Sequence, residues 1–320
     1  MTPRGREMRR ASALLLLSLL PATLLAGCLD TGTPVGSSIE ASAEAASGGS
    51  TGAAQGSTSA TGGVPESTVG VASGEDLAGA ADASVPFVAR TEAGGGSGYD
   101  ADSVLAVRYG VHEGYERAVI DLGTGEEPAG SVPKWTLASP KGDGLLRVTL
   151  PSASVTCVSD GKFGDGLLGS FHVVRAPEGG MFVDFFARKA FLYRVLELQD
   201  PARLVVDFKP TGASLTVPLP AEGGGTVLVE PRSKATISDP LTVSGYSRNF
   251  EATNTITLTN SDGKVLVRRT VRSNDWSSTW GYFEATFDLP QFAGKGTLKV
   301  GTQNARDGSF DGVEIPVRAR

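Results

Sequence analysis

The chain is short of the residues that most enzyme chemistry needs. Two cysteines and two histidines occur in 320 residues. That count rules out a scaffold stapled by several disulfides. His112 and His172 also lie far apart in sequence, whereas a catalytic zinc typically takes histidines at close helical spacing, so no metal and no cofactor are expected. Positive charge is not in excess, since the formal net charge is −6. With no basic stretch to track phosphates, no nucleic-acid partner is expected. No convincing amphipathic helix is present, and the one long apolar run, residues 11–29, lies at the start.

That run follows Arg4, Arg6, Arg9 and Arg10, and it carries leucines at 14–17, 19 and 20 before Pro21 interrupts it. A basic start followed by a short apolar core is the layout of an export signal. Leu25-Ala26-Gly27-Cys28 closes it and resembles the lipobox of bacterial lipoproteins. The resemblance implies cleavage after residue 27 and lipid on Cys28. It also implies an extracytoplasmic protein held to the outer face of the cell membrane. A membrane-spanning helix is the rival reading, but Pro21, Ser12, Ser18 and Thr23 dilute the run and no basic cluster follows it.

Residues 28–98 are dominated by Gly, Ala, Ser and Thr, and their acids outnumber the single base, Arg90. Such composition cannot bury enough apolar surface to offset chain entropy, so the stretch reads as a disordered tether or a glycosylated stalk. As a flexible coil of about 70 residues it would span on the order of 45 Å. With Cys28 assigned to lipid, the folded part has to be stable through its cores, and Cys157, in a strand-like run, reads as core filler.

Residues 99–222 read as strands separated by glycine-rich turns. A short repeat stands out: Arg117-Ala118-Val119-Ile120-Asp121-Leu122 and Arg203-Leu204-Val205-Val206-Asp207-Phe208. Alternation puts Ala118, Ile120 and Leu122, and likewise Leu204, Val206 and Phe208, on a core face. The other face carries Arg and Asp, which predicts cross-strand ion pairs. Val107–His112, Tyr115–Asp121 and Arg203–Asp207 resemble the AMIN-like domains of bacterial envelope proteins. That resemblance implies a β-sandwich and a role in binding peptidoglycan or localising the host protein. The amidase domain that often accompanies such domains does not follow here.

Residues 226–320 have the length of an immunoglobulin-like sandwich, with strands predicted over 227–230, 241–246, 254–259, 265–271, 282–289, 297–300 and 313–317. Gly223-Gly224-Gly225 reads as a linker in front of an independently folding unit. Glu230-Pro231, Ser238–Leu241, Val243–Gly245, Phe250–Ala252, Asp262-Gly263, Trp280-Gly281, Phe283, Asp307-Gly308 and Ile315–Val317 are similar to the immunoglobulin-like domain of bacterial spore-germination proteins. The resemblance implies a cell-surface module and no defined chemistry.

Apparent catalytic motifs dissolve on inspection. Gly164–Gly169 fits G-x-G-x-x-G, but a strand-like run follows where a dinucleotide site needs a helix. Gly48–Gly52 fits G-x-S-x-G, but it lies in the tether. Asp307 and Asp311 lack the ligand alternation of a calcium loop. Aromatic residues are the best binding candidates. Phe283, Ala285, Phe287 and Leu289 read as core-facing, which turns Tyr282 outward, and Trp276 precedes the strand. Trp276 and Tyr282 are therefore candidate ligand-binding residues, and Trp280 reads as a framework residue capping the sandwich.

The expected protein is all-β, with two β-sandwich-like domains after a tether. It is expected to be a non-catalytic envelope protein whose partners are the membrane, through Cys28, and peptidoglycan or another wall polymer. A protein-binding scaffold of envelope or germination machinery and a cell-wall hydrolase are the alternatives.

Overall fold

The computed structural model describes residues 85–320, apart from 141 and 305. The lipobox-like segment, Cys28 and the tether through residue 84 lie outside the described residues. The first domain carries β1 (Glu92–Gly95), β2 (Ser103–His112), β3 (Tyr115–Thr124), β4 (Glu127–Pro128), β5 (Trp135–Ala138) and β6 (Leu145–Leu150). It continues with β7 (Val155–Thr156), β8 (Asp160–Lys162), β9 (Leu168–Arg175), β10 (Met181–Ala187), β11 (Phe191–Leu198) and β12 (Arg203–Pro210). The second domain carries β13 (Ala221–Gly223), β14 (Thr226–Glu230), β15 (Thr236–Ile237), β16 (Leu241–Ser247) and β17 (Thr253–Asn260). Its remaining strands are β18 (Val265–Arg272), β19 (Trp280–Phe287), β20 (Gly294–Gln303) and β21 (Phe310–Ala319). The single helical element among the described residues is a 3-10 turn at Phe250–Ala252.

One sheet of the first domain has the order β11-β12-β3-β2-β7. A second begins β1-β5-β6-β10-β9 and continues without interruption as β19-β16-β14-β13 in the second domain. The third, β15-β21-β20-β17-β18, packs on that continuation. Each domain is thus a sandwich with its own core. Phe171, Phe185, Phe208 and Ile120 centre the first, and Phe283, Val243, Leu258 and Leu298 centre the second.

The Arg-x-x-x-Asp repeat explains one strand pairing. When two copies run antiparallel, each arginine stands opposite the other copy's aspartate, and β3 and β12 pair so that Arg117 meets Asp207 and Arg203 meets Asp121. Ala118, Ile120, Leu122, Leu204, Val206 and Phe208 all lie in the core, as their period requires. On the opposite face Arg117 holds Asp207 through two bonds of 2.6 and 2.9 Å, and Arg194 adds a third of 2.7 Å. Asp121 is held by Arg108 at 2.6 and 2.7 Å.

Three expectations are corrected. The described structure starts within the stretch assigned to the tether: Val88 bridges Tyr193, and β1 pairs with β5. Glycine there serves close packing, since a Cβ on Gly95 would stand 3.0 Å from the Trp135 ring. Gly223–Gly225 is not a linker, because Gly224 and Gly225, at φ 54° and 68°, turn the chain between β13 and β14. Cys157 is not core filler. The two-residue β7 ends at Thr156, and Cys157 is exposed on the bend that follows. The G-x-G-x-x-G stretch is a loop entering β9, clasped by Glu116, which accepts from Leu167 N at 2.5 Å and Leu168 N at 2.8 Å.

Candidate functional site

The two aromatic candidates fall in different places. Trp276 sits on the loop before β19, with its ring edge-to-face on Phe250 at a centroid distance of 5.2 Å. Trp276 is 37% exposed and Phe250 71%, so the pair forms an apolar ridge open to solvent. Tyr282 is half-buried beside the domain junction, and its hydroxyl donates to Glu284 at 2.6 Å. Burial and the Glu284 carboxylate push its phenol up to about 12. Among the described residues no ring contact joins Tyr282 to Trp276.

Both halves of the ridge are held rigidly. Asp275 Oδ1 accepts from the backbone N–H groups of Trp276, Ser277 and Ser278 at 2.6, 3.1 and 3.1 Å, curling the loop around one carboxylate. The other oxygen of Asp275 pairs with Arg175 of β9 at 3.2 Å. Asn274 reaches across as well, donating to the carbonyls of Arg175 and Ala176 and accepting from Tyr282 N. Phe250 is presented by a turn in which Glu251 and Ala252 take φ of 54° and 58°. Left-handed backbone at residues other than glycine costs of order 1–3 kcal/mol each and persists only where its surroundings over-determine it. Here Ser273 N, Ser273 Oγ and Asn254 Nδ2 all donate to the Ala252 carbonyl. Asn249 ties Thr226 to Asn254 beneath the turn at 2.9 and 2.7 Å. A buried polar network therefore fixes an exposed aromatic ring.

Phe250 escaped the sequence reading as a binding residue. Its signal was present, since an aromatic next to Asn249, outside any alternating run, has no core face to join.

Trp280 does more than cap its own sandwich. It is buried where β19 pairs parallel with β9, Trp280 opposite Val174 and Gly281 opposite Arg175. Its indole N–H donates to Asp160 of the first domain at 3.0 Å, and its ring meets His172 edge-on at 4.9 Å. Leu145, Val174, Phe182 and Phe186 from one domain and Val227, Tyr246 and Trp280 from the other make one shared apolar cluster. Arg147 pairs with the buried Asp184 beside it and lies 3.8 Å over the Phe182 ring.

His172 is buried in this junction, and burial holds its basicity below the ordinary histidine value. The unfolded chain thus binds a proton more readily than the folded one. The stabilisation is complete above the unfolded value of about 6.5 and is lost as pH falls through that value towards the folded one. Melting temperature should therefore drop between pH 7.5 and 5, and His172→Phe should flatten part of that drop. Equal slopes in both proteins would remove His172 as a cause. His112, stacked on Tyr115 at 4.8 Å, is also depressed by burial and acts in the same direction.

Among the described residues, no three His, Cys, Asp or Glu side chains converge where they could hold a metal ion. Asp307, weighed above for calcium, accepts from Ser309 within its own turn. What the ridge can do chemically is stack on a flat or apolar partner.

The fold and these surfaces define an all-β protein whose C-terminal domain is immunoglobulin-like. Residues 226–309 match the family model Gmad2, described as the immunoglobulin-like domain of bacterial spore germination, which is not a catalytic family. No curated protein and no solved structure matches the chain.

Proposed function

We propose that this chain is a non-catalytic envelope protein, anchored outside the cell membrane by lipid on Cys28, that binds peptidoglycan or another wall polymer through its folded domains. The observation that carries the binding reading is the Phe250–Trp276 ridge, two exposed rings held in place by a strained turn and a carboxylate-centred loop. Solvent-exposed aromatics on rigid supports offer flat apolar area at little ordering cost, which suits the faces of sugar rings. The AMIN-like resemblance of the first domain supports the same reading, as does the lipobox resemblance, which implies a location where wall is available.

Wall co-sedimentation of the full chain tests it. Trp276→Ala and Phe250→Ala should each reduce the sedimented fraction several-fold while leaving the melting temperature within about 1–2 °C, because surface truncations change stability by roughly 0.5 kcal/mol or less. If the intact chain stays in the supernatant with both crude and purified wall, the wall reading fails. A protein partner in envelope or germination machinery then takes its place. The anchor is tested separately: Cys28→Ser should abolish incorporation of a palmitate analogue and leave an uncleaved precursor, and label persisting on the variant would overturn the assignment.

A further inference from the structure

A cavity of about 570 Å³ opens on the side of the first domain, away from the features used so far. It lies where β11, the outer strand of one sheet, and β1, the outer strand of the other, leave the flank of the sandwich uncovered. Its walls are mainly apolar, with Val85, Val88, Ala93, Val195, Leu196 and Leu198 contributing. Arg90, Tyr193, Arg194 and Glu197 bring polar groups to it, and Arg194 is already committed to Asp207 at 2.7 Å. Tyr193 is 2% exposed, yet among the described residues its hydroxyl has no hydrogen-bond partner. An orphaned buried hydroxyl costs about 1–3 kcal/mol, which a native chain rarely tolerates without use. Arg90 lies close enough for its charge to act on that phenol, opposing the upward push of burial, and its own side chain is exposed. The neighbouring carboxylate is already employed: Glu197 Oε1 accepts from Trp135 Nε1 at 2.7 Å and Gly96 N at 2.8 Å, bracing the far wall.

We propose that this cavity is a binding site for a small amphiphilic carboxylate, its apolar body against Val88, Ala93 and Val195 and its carboxylate between the Arg90 guanidinium and the Tyr193 hydroxyl. The size falls within the range of small-molecule sites, as does the combination of apolar walls with a few convergent polar groups. An anion is the matching headgroup, because Arg90 supplies charge and Tyr193 supplies a donor that nothing else accepts. The site is independent of the Phe250–Trp276 ridge and of wall binding.

Isothermal titration of residues 28–320, carrying Cys28→Ser and purified without detergent, tests the assignment with three probes that share one apolar tail. Octanoate should bind saturably, octanol much more weakly, and octylammonium not at all. Arg90→Ala should weaken octanoate roughly tenfold or more, as expected for a hydrogen bond to a charged group. Tyr193→Phe should weaken it several-fold without lowering the melting temperature, since it deletes only an unpartnered hydroxyl. Octanol binding as tightly as octanoate would reduce the site to an unselective apolar cleft. Failure of octanoate to bind, or indifference of its affinity to Arg90→Ala, would overturn the proposal.

Discussion

Replacing Asp207 with alanine is expected to cost about 3–5 kcal/mol, a loss large enough to unfold many domains of this size. Asp207 is fully buried and accepts from two arginines, Arg117 and Arg194, whose side chains are themselves 3% and 9% exposed. Removing it takes the shared carboxylate away from two buried guanidinium groups, and it is this lost compensation for their desolvation that makes the change severe. Two comparisons isolate the cause. Asp121→Ala breaks a bidentate pair of similar geometry, but both its members are more than a fifth exposed, and the loss should be about 1 kcal/mol or less. Replacing Arg117, Arg194 and Asp207 together with apolar residues of similar volume should recover most of the stability lost in the single variant. Urea midpoints measure all three. A single Asp207→Ala no worse than Asp121→Ala would mean that the cluster is solvated in solution.

Trp280→Ala should be the other large effect, again about 3–5 kcal/mol. Its distinctive consequence is a change in the shape of the transition. Trp280 meets His172, Tyr246 and Asp160 at the seam, so its loss removes the largest ring joining the two cores. The full chain should melt in one cooperative step, and the variant in two, with the second domain unfolding at the lower temperature. Trp276→Ala, on the loop that leads into β19, should leave one step at an unchanged temperature. One unshifted transition in Trp280→Ala would mean that the backbone pairing and the polar contacts of the seam hold the domains together without the indole.

Much of the fold was legible because its strands are short, local and half-buried. Alternation put Ala118, Ile120 and Leu122 on the core face, and it turned Phe283 and Phe287 inward and Tyr282 outward. The Arg-x-x-x-Asp repeat even foretold ion pairs, because antiparallel pairing of two copies is self-complementary. The seam was not legible. Pairing of Trp280 with Val174 joins residues more than a hundred positions apart, and a two-residue parallel contact leaves no periodic trace in either strand. Trp280 therefore looked like a cap for one sandwich, when its indole spans two. Strand β1 was hidden for a different reason: its glycines read as disorder by composition, whereas the need for them comes from the Trp135 ring beneath. Of the site, Trp276 was found because it lies outside any alternating run. Phe250 obeys the same logic, but the turn that exposes it depends on the two donors of Ser273, which stands 21 residues beyond Ala252 and meets it only in the folded chain.

The continuous sheet has a mechanical consequence. The described chain enters at Val85 in the first domain, and the aromatic ridge lies on the second, so any pull between the two ends crosses the seam. Apart from the covalent segment between β12 and β13, that load is shared by the short β9–β19 pairing, the Arg175–Asp275 and Arg232–Asp143 pairs, the Asn274 bonds and the interlocked rings of His172, Tyr246 and Trp280. Each sandwich is laced by longer antiparallel ladders, so extension should part the protein at this joint first and leave two intact modules in series.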